Sequence, residues 1–140
     1  MKTALLLFTI LFSFSIYGQE LTGVYVKDFD LNDGKTLIRT LDLKDDGTFT
    51  FHNFRKNFSI DKTKKSTYGK GTWRQDKKII TFFTDKETDI DEKYTLDFNE
   101  TKARFHSKNP RDKSDRVILP SLTFFESNIP ILENFKVFKK

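Results

Sequence analysis

Cysteine is absent from the 140 residues. Thiol catalysis, thiolate metal sites, disulfide staples and thiol redox chemistry go with it, as does a bacterial lipid anchor, which needs a cysteine behind the leader. Histidine occurs only at His52 and His106, far apart in the chain, with no helper at metal-ligand spacing. There is no Gly-x-Ser-x-Gly, no His-Glu-x-x-His and no phosphate-cradling glycine loop. Two Asp-rich stretches fail as calcium loops. The one opening at Asp28 has Asp33 and Arg39 where an EF-hand needs glycine and glutamate, and the one opening at Asp85 has Ile90 and Leu96 there. No long amphipathic helical pattern occurs. The expectation is a protein that binds and does not catalyse, without metal or cofactor.

What is present begins with a leader. Met1-Lys-Thr3, an apolar run over residues 4–16 and Tyr17-Gly-Gln19 follow the three-part pattern of a secretory signal peptide, with Gly18 as the small residue before the cut. The run falls short of the ~20 residues that cross a bilayer, which leaves an uncleaved anchor as the alternative. The reading is a signal peptide over 1–18, then one domain over 19–140, monomeric and secreted or periplasmic. Packing alone must hold that domain, and thirteen of the chain's sixteen phenylalanines supply the bulk; a buried Phe contributes roughly 1.5–3 kcal/mol.

Gly23-Val-Tyr25, Gly47-Thr-Phe49 and Gly71-Thr-Trp73 each set a glycine two residues before an aromatic ring. Glycine leaves a turn at positive φ without steric cost. Two residues on, the ring lies on the face where the glycine left room. Strands are expected over 21–28, 36–43, 48–54, the hairpin around Trp73 (69–83), 94–98, 103–107 and 117–125, the last broken by Pro120. The tail, 129–140, reads as strand or helix, with strand preferred. Lys44-Asp-Asp-Gly47 is the strongest hairpin signal. Eight or nine short strands with hairpin connections make an all-β antiparallel up-and-down barrel, or a strongly curved meander.

Three stretches resemble the small secreted lipocalin-like β-barrel proteins of bacterial envelopes: Leu21-Thr-Gly-Val-Tyr25, Leu41-Asp-Leu-Lys-Asp-Asp-Gly-Thr-Phe-Thr-Phe51, and Gly71-Thr-Trp73 through Ile80-Thr-Phe82. The resemblance implies an antiparallel barrel able to hold a small apolar or amphipathic ligand. It carries over no binding residue.

Two candidate sites follow. In residues 36–43, Arg39 shares a face with Leu37, Leu41 and Leu43. A guanidinium turned into an apolar cavity would pair a ligand carboxylate or phosphate; the alternatives are a structural arginine paired with an internal carboxylate, or one whose stem packs while its head reaches water. With Tyr68 and Arg74 these residues form the expected ligand set: Arg39, Leu37, Leu41, Tyr68 and Arg74. The second site is electrostatic. Residues 55–78 hold Arg55, Lys56, Lys62, Lys64, Lys65, Lys70, Arg74, Lys77 and Lys78 against Asp61 and Asp76, interleaved with aromatics. Residues 55–68 read as a polar loop whose Arg55, Lys56, Lys62, Lys64 and Lys65 would hold an anionic envelope polymer or headgroup, or would simply keep a phenylalanine-rich protein soluble. The leader argues against nucleic acid as the partner. The two functions in competition are a lipocalin-like carrier of a small ligand and an envelope interaction module, an enzyme inhibitor or acidic-polymer binder.

Overall fold

The computed structural model describes residues 21–31, 34–57 and 63–140, with Asp30 described by its backbone alone. The leader, Asn32, Phe58 and Lys62 lie outside the described residues. Nine strands run in chain order: β1 Gly23–Asp30, β2 Thr36–Leu43, β3 Thr48–Lys56, β4 Lys64–Asp76, β5 Ile79–Phe83, β6 Tyr94–Leu96, β7 Thr101–His106, β8 Ser121–Glu126 and β9 Lys136–Lys139. Each neighbour from β1 to β5 pairs antiparallel, β5 passes to β7, and β9 returns to β1. Eight strands thus close into an up-and-down barrel, the expected class. The ninth, β6, lies parallel to β4 outside this circuit, opposite Tyr68 and Gly69, beyond the reach of β5.

Several boundaries depart from the sequence reading. β6 ends two residues earlier than expected, and β7 begins two residues earlier and ends one earlier. β1 begins and ends two residues later than expected. The basic stretch 55–68 is not a fourteen-residue loop: β3 runs to Lys56, β4 starts at Lys64, and Arg55 and Lys56 sit opposite Lys65 and Lys64. Polar side chains on both faces conceal a strand whose backbone ladder is intact, since alternation shows only where one face is buried. Residues 117–120 are not strand; β8 starts after Pro120, which has no N–H to give a ladder. The tail divides, with a 3₁₀ turn over Pro130–Leu132 and then β9.

The register explains the core. Tyr25 lies opposite Leu41, Leu41 opposite Phe51, and Phe51 opposite Gly69; Leu43 faces Phe49, and Phe49 faces Gly71. Directly opposed residues share a face, so these side chains fill the lumen together. Phe49 meets Phe82 at 5.0 Å and Phe98 at 4.9 Å between ring centres, and Phe51 meets Phe98 at 5.3 Å, near-perpendicular or steeply tilted contacts that suit the ring quadrupoles. Gly23 and Gly47 do leave turns at positive φ, +136° and +86°. Gly71 is different: a Cβ there would strike the Phe83 carbonyl and lie 3.1 Å from the Phe49 ring.

Gly71→Ala should therefore destabilise the barrel by about 2–3 kcal/mol, because backbone must move. Gly47→Ala, whose Cβ would meet nothing within 4 Å, should cost about 1 kcal/mol from φ strain alone. Urea midpoints of the two variants measure the difference.

Candidate functional site

Leu37, Arg39 and Leu41 do face inward, and Leu41 is fully buried. Arg39 is half-buried among groups that use it. Its Nε donates to Asn53 Oδ1 at 3.0 Å, and its Nη1 donates to the Ile131 carbonyl at 2.9 Å. The guanidinium lies 4.5 Å from the Phe135 ring centre and 5.3 Å from that of Phe29. Burial pushes it below its ordinary pKa. The segment it holds, between β8 and β9, buries Ile129, Leu132 and Phe135. Phe135 continues the stack from Phe124 to Phe29, at 6.4 and 5.6 Å. Arg39 thus ties β2 and β3 to the segment closing one end of the barrel, through an amide and a carbonyl oxygen and not through an internal carboxylate.

Tyr68 and Arg74 face outward. The structure therefore divides the expected ligand set: three members point into the barrel and two lie on its outer wall. The basic residues divide too. Arg55 and Lys65 follow the inward register at the strand ends, whereas Lys56, Lys64, Lys70 and Arg74 follow the outward one.

The outer wall of β4 reads Lys64, Ser66, Tyr68, Lys70, Thr72, Arg74 and then Asp76 at the strand's last residue; from Lys64 to Arg74 it carries no carboxylate. Successive members stand roughly 7 Å apart. Neighbouring strands extend the stripe. The His52 ring of β3 stacks on Tyr68 at 4.5 Å and 2°, its Nε2 2.9 Å from Ser66 Oγ. Tyr94 of β6 lies 5.8 Å beyond Tyr68. The Lys93 ammonium sits over Tyr68 at 4.8 Å and over Tyr94 at 5.4 Å, and that of Lys70 over Tyr94 at 4.6 Å. Arg74 lies 5.3 Å from the Phe83 ring centre. Lys70, Lys93 and Arg74 thus each lie over a ring face. Asp91 is the carboxylate beside Lys70 and Lys93. It accepts the backbone N–H groups of Lys93 and Tyr94, both at 2.8 Å, and these bonds hold it below the usual carboxylate range.

Comparison with known proteins finds no matching family model, no matching curated protein and no matching solved structure. The site stands on its geometry. Sequence reading singled out Tyr68 and the basic residues; it missed His52, Lys93 and Tyr94. His52 was recoverable from the alternation of β3, which puts it on the same wall as Tyr68. Tyr94 and Lys93 were not, because they arrive through the parallel β6 pairing. Among the described residues no group of three or more His, Asp or Glu side chains could hold a metal ion.

Two outcomes test this geometry. Arg39→Ala should cost about 2–3 kcal/mol, since it strands the buried Asn53 amide and frees the closing segment; hydrogen exchange should accelerate at residues 129–135. The pKa of His52 is lowered, by burial first and by Lys93 second, and that of His106 by burial and by Lys136, Arg104 and Lys78. The unfolded chain then binds protons more readily than the folded one. Stability is complete above about pH 6.5 and falls as the pH drops below it. Melting temperatures between pH 7.5 and 5 should show this decline, and His52→Phe, which keeps a stacking ring, should flatten it.

Proposed function

We propose that this barrel is a binding protein that captures an acidic polysaccharide along the outer wall of β4. The fold is of a kind compatible with a lipocalin-like binding protein. The observation that carries the reading is the carboxylate-free row of cations, hydroxyls and the Tyr68 ring from Lys64 to Arg74, widened by His52, Tyr94 and Lys93. The strand spans on the order of 30 Å over this stretch, enough for several sugar units. Ammonium and guanidinium groups match a repeating carboxylate or sulfate. Ring edges and faces match the apolar faces of pyranose rings. The secretory leader expected for residues 1–18 would bring the protein to where such polymers occur, and favours them over nucleic acid, which the same stripe could accept on charge and stacking.

A small ligand inside the lumen, the function implied by the lipocalin resemblance, has less to support it. An eight-stranded barrel is just wide enough to be filled by its own side chains, and here Phe49, Phe51, Phe82, Phe98 and Phe124 are at most 1% exposed.

Titration calorimetry with a polyuronate, against neutral dextran and a single-stranded oligonucleotide, tests the reading. The polyuronate should bind with an affinity that falls as salt rises, and Tyr68→Ala with Lys70→Glu should weaken it by about tenfold or more. Equal binding of dextran, tighter binding of the oligonucleotide, or an unchanged affinity in the double variant would defeat it.

A further inference from the structure

The stripe leaves the opposite wall of the barrel unused. In the closed circuit β9 lies four strands from β4 in either direction. At the end of that wall, between β7 and β8, the chain exposes three apolar residues in succession: Val117 (87% exposed), Ile118 (41%) and Leu119 (53%). This exposure is not slackness. The loop before them is braced by Lys108 Nζ on the Ser114 carbonyl, by Asp112 on the Ser114 N–H at 2.9 Å, by the Asp112 N–H on the Asn109 carbonyl at 2.8 Å, and by an Arg116–Asp112 ion pair at 2.7 Å. Behind them the Pro120 carbonyl accepts the Lys139 N–H at 2.7 Å, which ties the segment to β9. The segment is therefore anchored on both sides while the three side chains stay in contact with solvent. With His106, Ser121, Lys136 and Phe138 they line a groove of about 420 Å³.

The charge around the groove is predominantly positive. Arg104, Lys136 and Lys78 are the charged groups acting on His106. The Lys136 and Lys27 ammoniums lie 5.3 and 5.7 Å from the Phe138 ring centre. The loop adds Lys108, Arg111, Lys113 and Arg116 against Asp112, which Arg116 neutralises, and Asp115. A second copy of this chain would bring the same cations to a twofold contact and be repelled. An anionic bilayer satisfies both halves of the pattern: its headgroups meet the cations, and its acyl boundary takes the protruding Val117 and Leu119.

We propose that the Val117–Ile118–Leu119 tip, with Arg104 and Lys136 beside it, docks the barrel on an anionic lipid surface. The contact uses side-chain insertion and leaves the β4 wall facing away from the membrane. It does not depend on the polysaccharide reading.

Vesicle co-sedimentation of the mature protein tests it, with phosphatidylcholine vesicles prepared with and without phosphatidylglycerol. Binding should require phosphatidylglycerol and weaken with salt. Val117→Asp with Leu119→Asp should lower the partition coefficient by about tenfold or more, and the surface variant Lys136→Glu by about fivefold. Circular dichroism melts should show all three proteins folded. Four results would overturn the proposal: no binding to phosphatidylglycerol vesicles, equal binding to the neutral ones, undiminished binding in the double aspartate variant, or a self-association that this variant abolishes. Loss of binding in Lys70→Glu with Lys136→Glu unaffected would also overturn it, by moving the contact to the β4 wall.

Discussion

An eight-stranded barrel has room inside for its own side chains or for one small guest. In this chain the space goes to phenylalanine, and β4 makes that possible by having no side chains at Gly69 and Gly71. Phe51 and Phe49 lie directly opposite these glycines. The Phe98 ring lies against Gly69, and the Phe83 backbone crosses close to Gly71. Any larger residue at either position would push a ring or a strand outward. The absence of cysteine makes this packing the more consequential, because no covalent staple holds the wall. Trp73 completes the arrangement at the lower edge. Its indole N–H is shared between the Lys44 and Thr48 carbonyls at 3.1 and 3.0 Å, which fixes the β2–β3 turn to β4.

Arg39 follows from the same constraint. A guanidinium beside a dry aromatic core is costly unless its donors are used and its faces covered. Both conditions are met by parts of the chain distant in sequence: Asn53 across the sheet, and the Ile131 carbonyl and Phe135 ring from the closing segment. Asn53 in turn donates to Thr67 Oγ1 at 3.3 Å, so the polar layer crosses from β2 to β4. By these contacts the arginine joins wall to closure.

The parts of this legible in the sequence share a cause. β2 and β3 alternate because one face is buried and the other wet, and the Asp-Gly turn between them has one conformation to offer; hence the match from Thr36 to Leu43 and the start of β3 at Thr48. Where both faces are wet, as at Lys56 and Lys64, no alternation exists to be read, and ladder looked like loop. At residues 117–119 the error ran the other way: an apolar run imitated a strand because hydrophobicity does not say whether it is covered. The outward partners of Tyr68 were half legible. His52 is fixed by the β3 alternation, but Tyr94 depends on a parallel pairing across more than twenty residues of chain, which no local pattern encodes.

Filling the lumen also decides where polar and aromatic side chains are left to face solvent. With the interior closed, the outer wall carries the unspent chemistry, and the two-residue period of a strand sorts it. In β4 the same run of residues sends Gly69, Gly71 and Trp73 inward and Tyr68, Lys70 and Arg74 outward. The glycines that admit the core rings thus alternate with the cations and the ring that face solvent. A one-residue slip of β4 would put Lys70 against Phe49 and Phe51 and the glycines in water, at the cost of a buried unpaired charge. The register that packs the core is therefore the register that displays the stripe, and the stability of one maintains the geometry of the other.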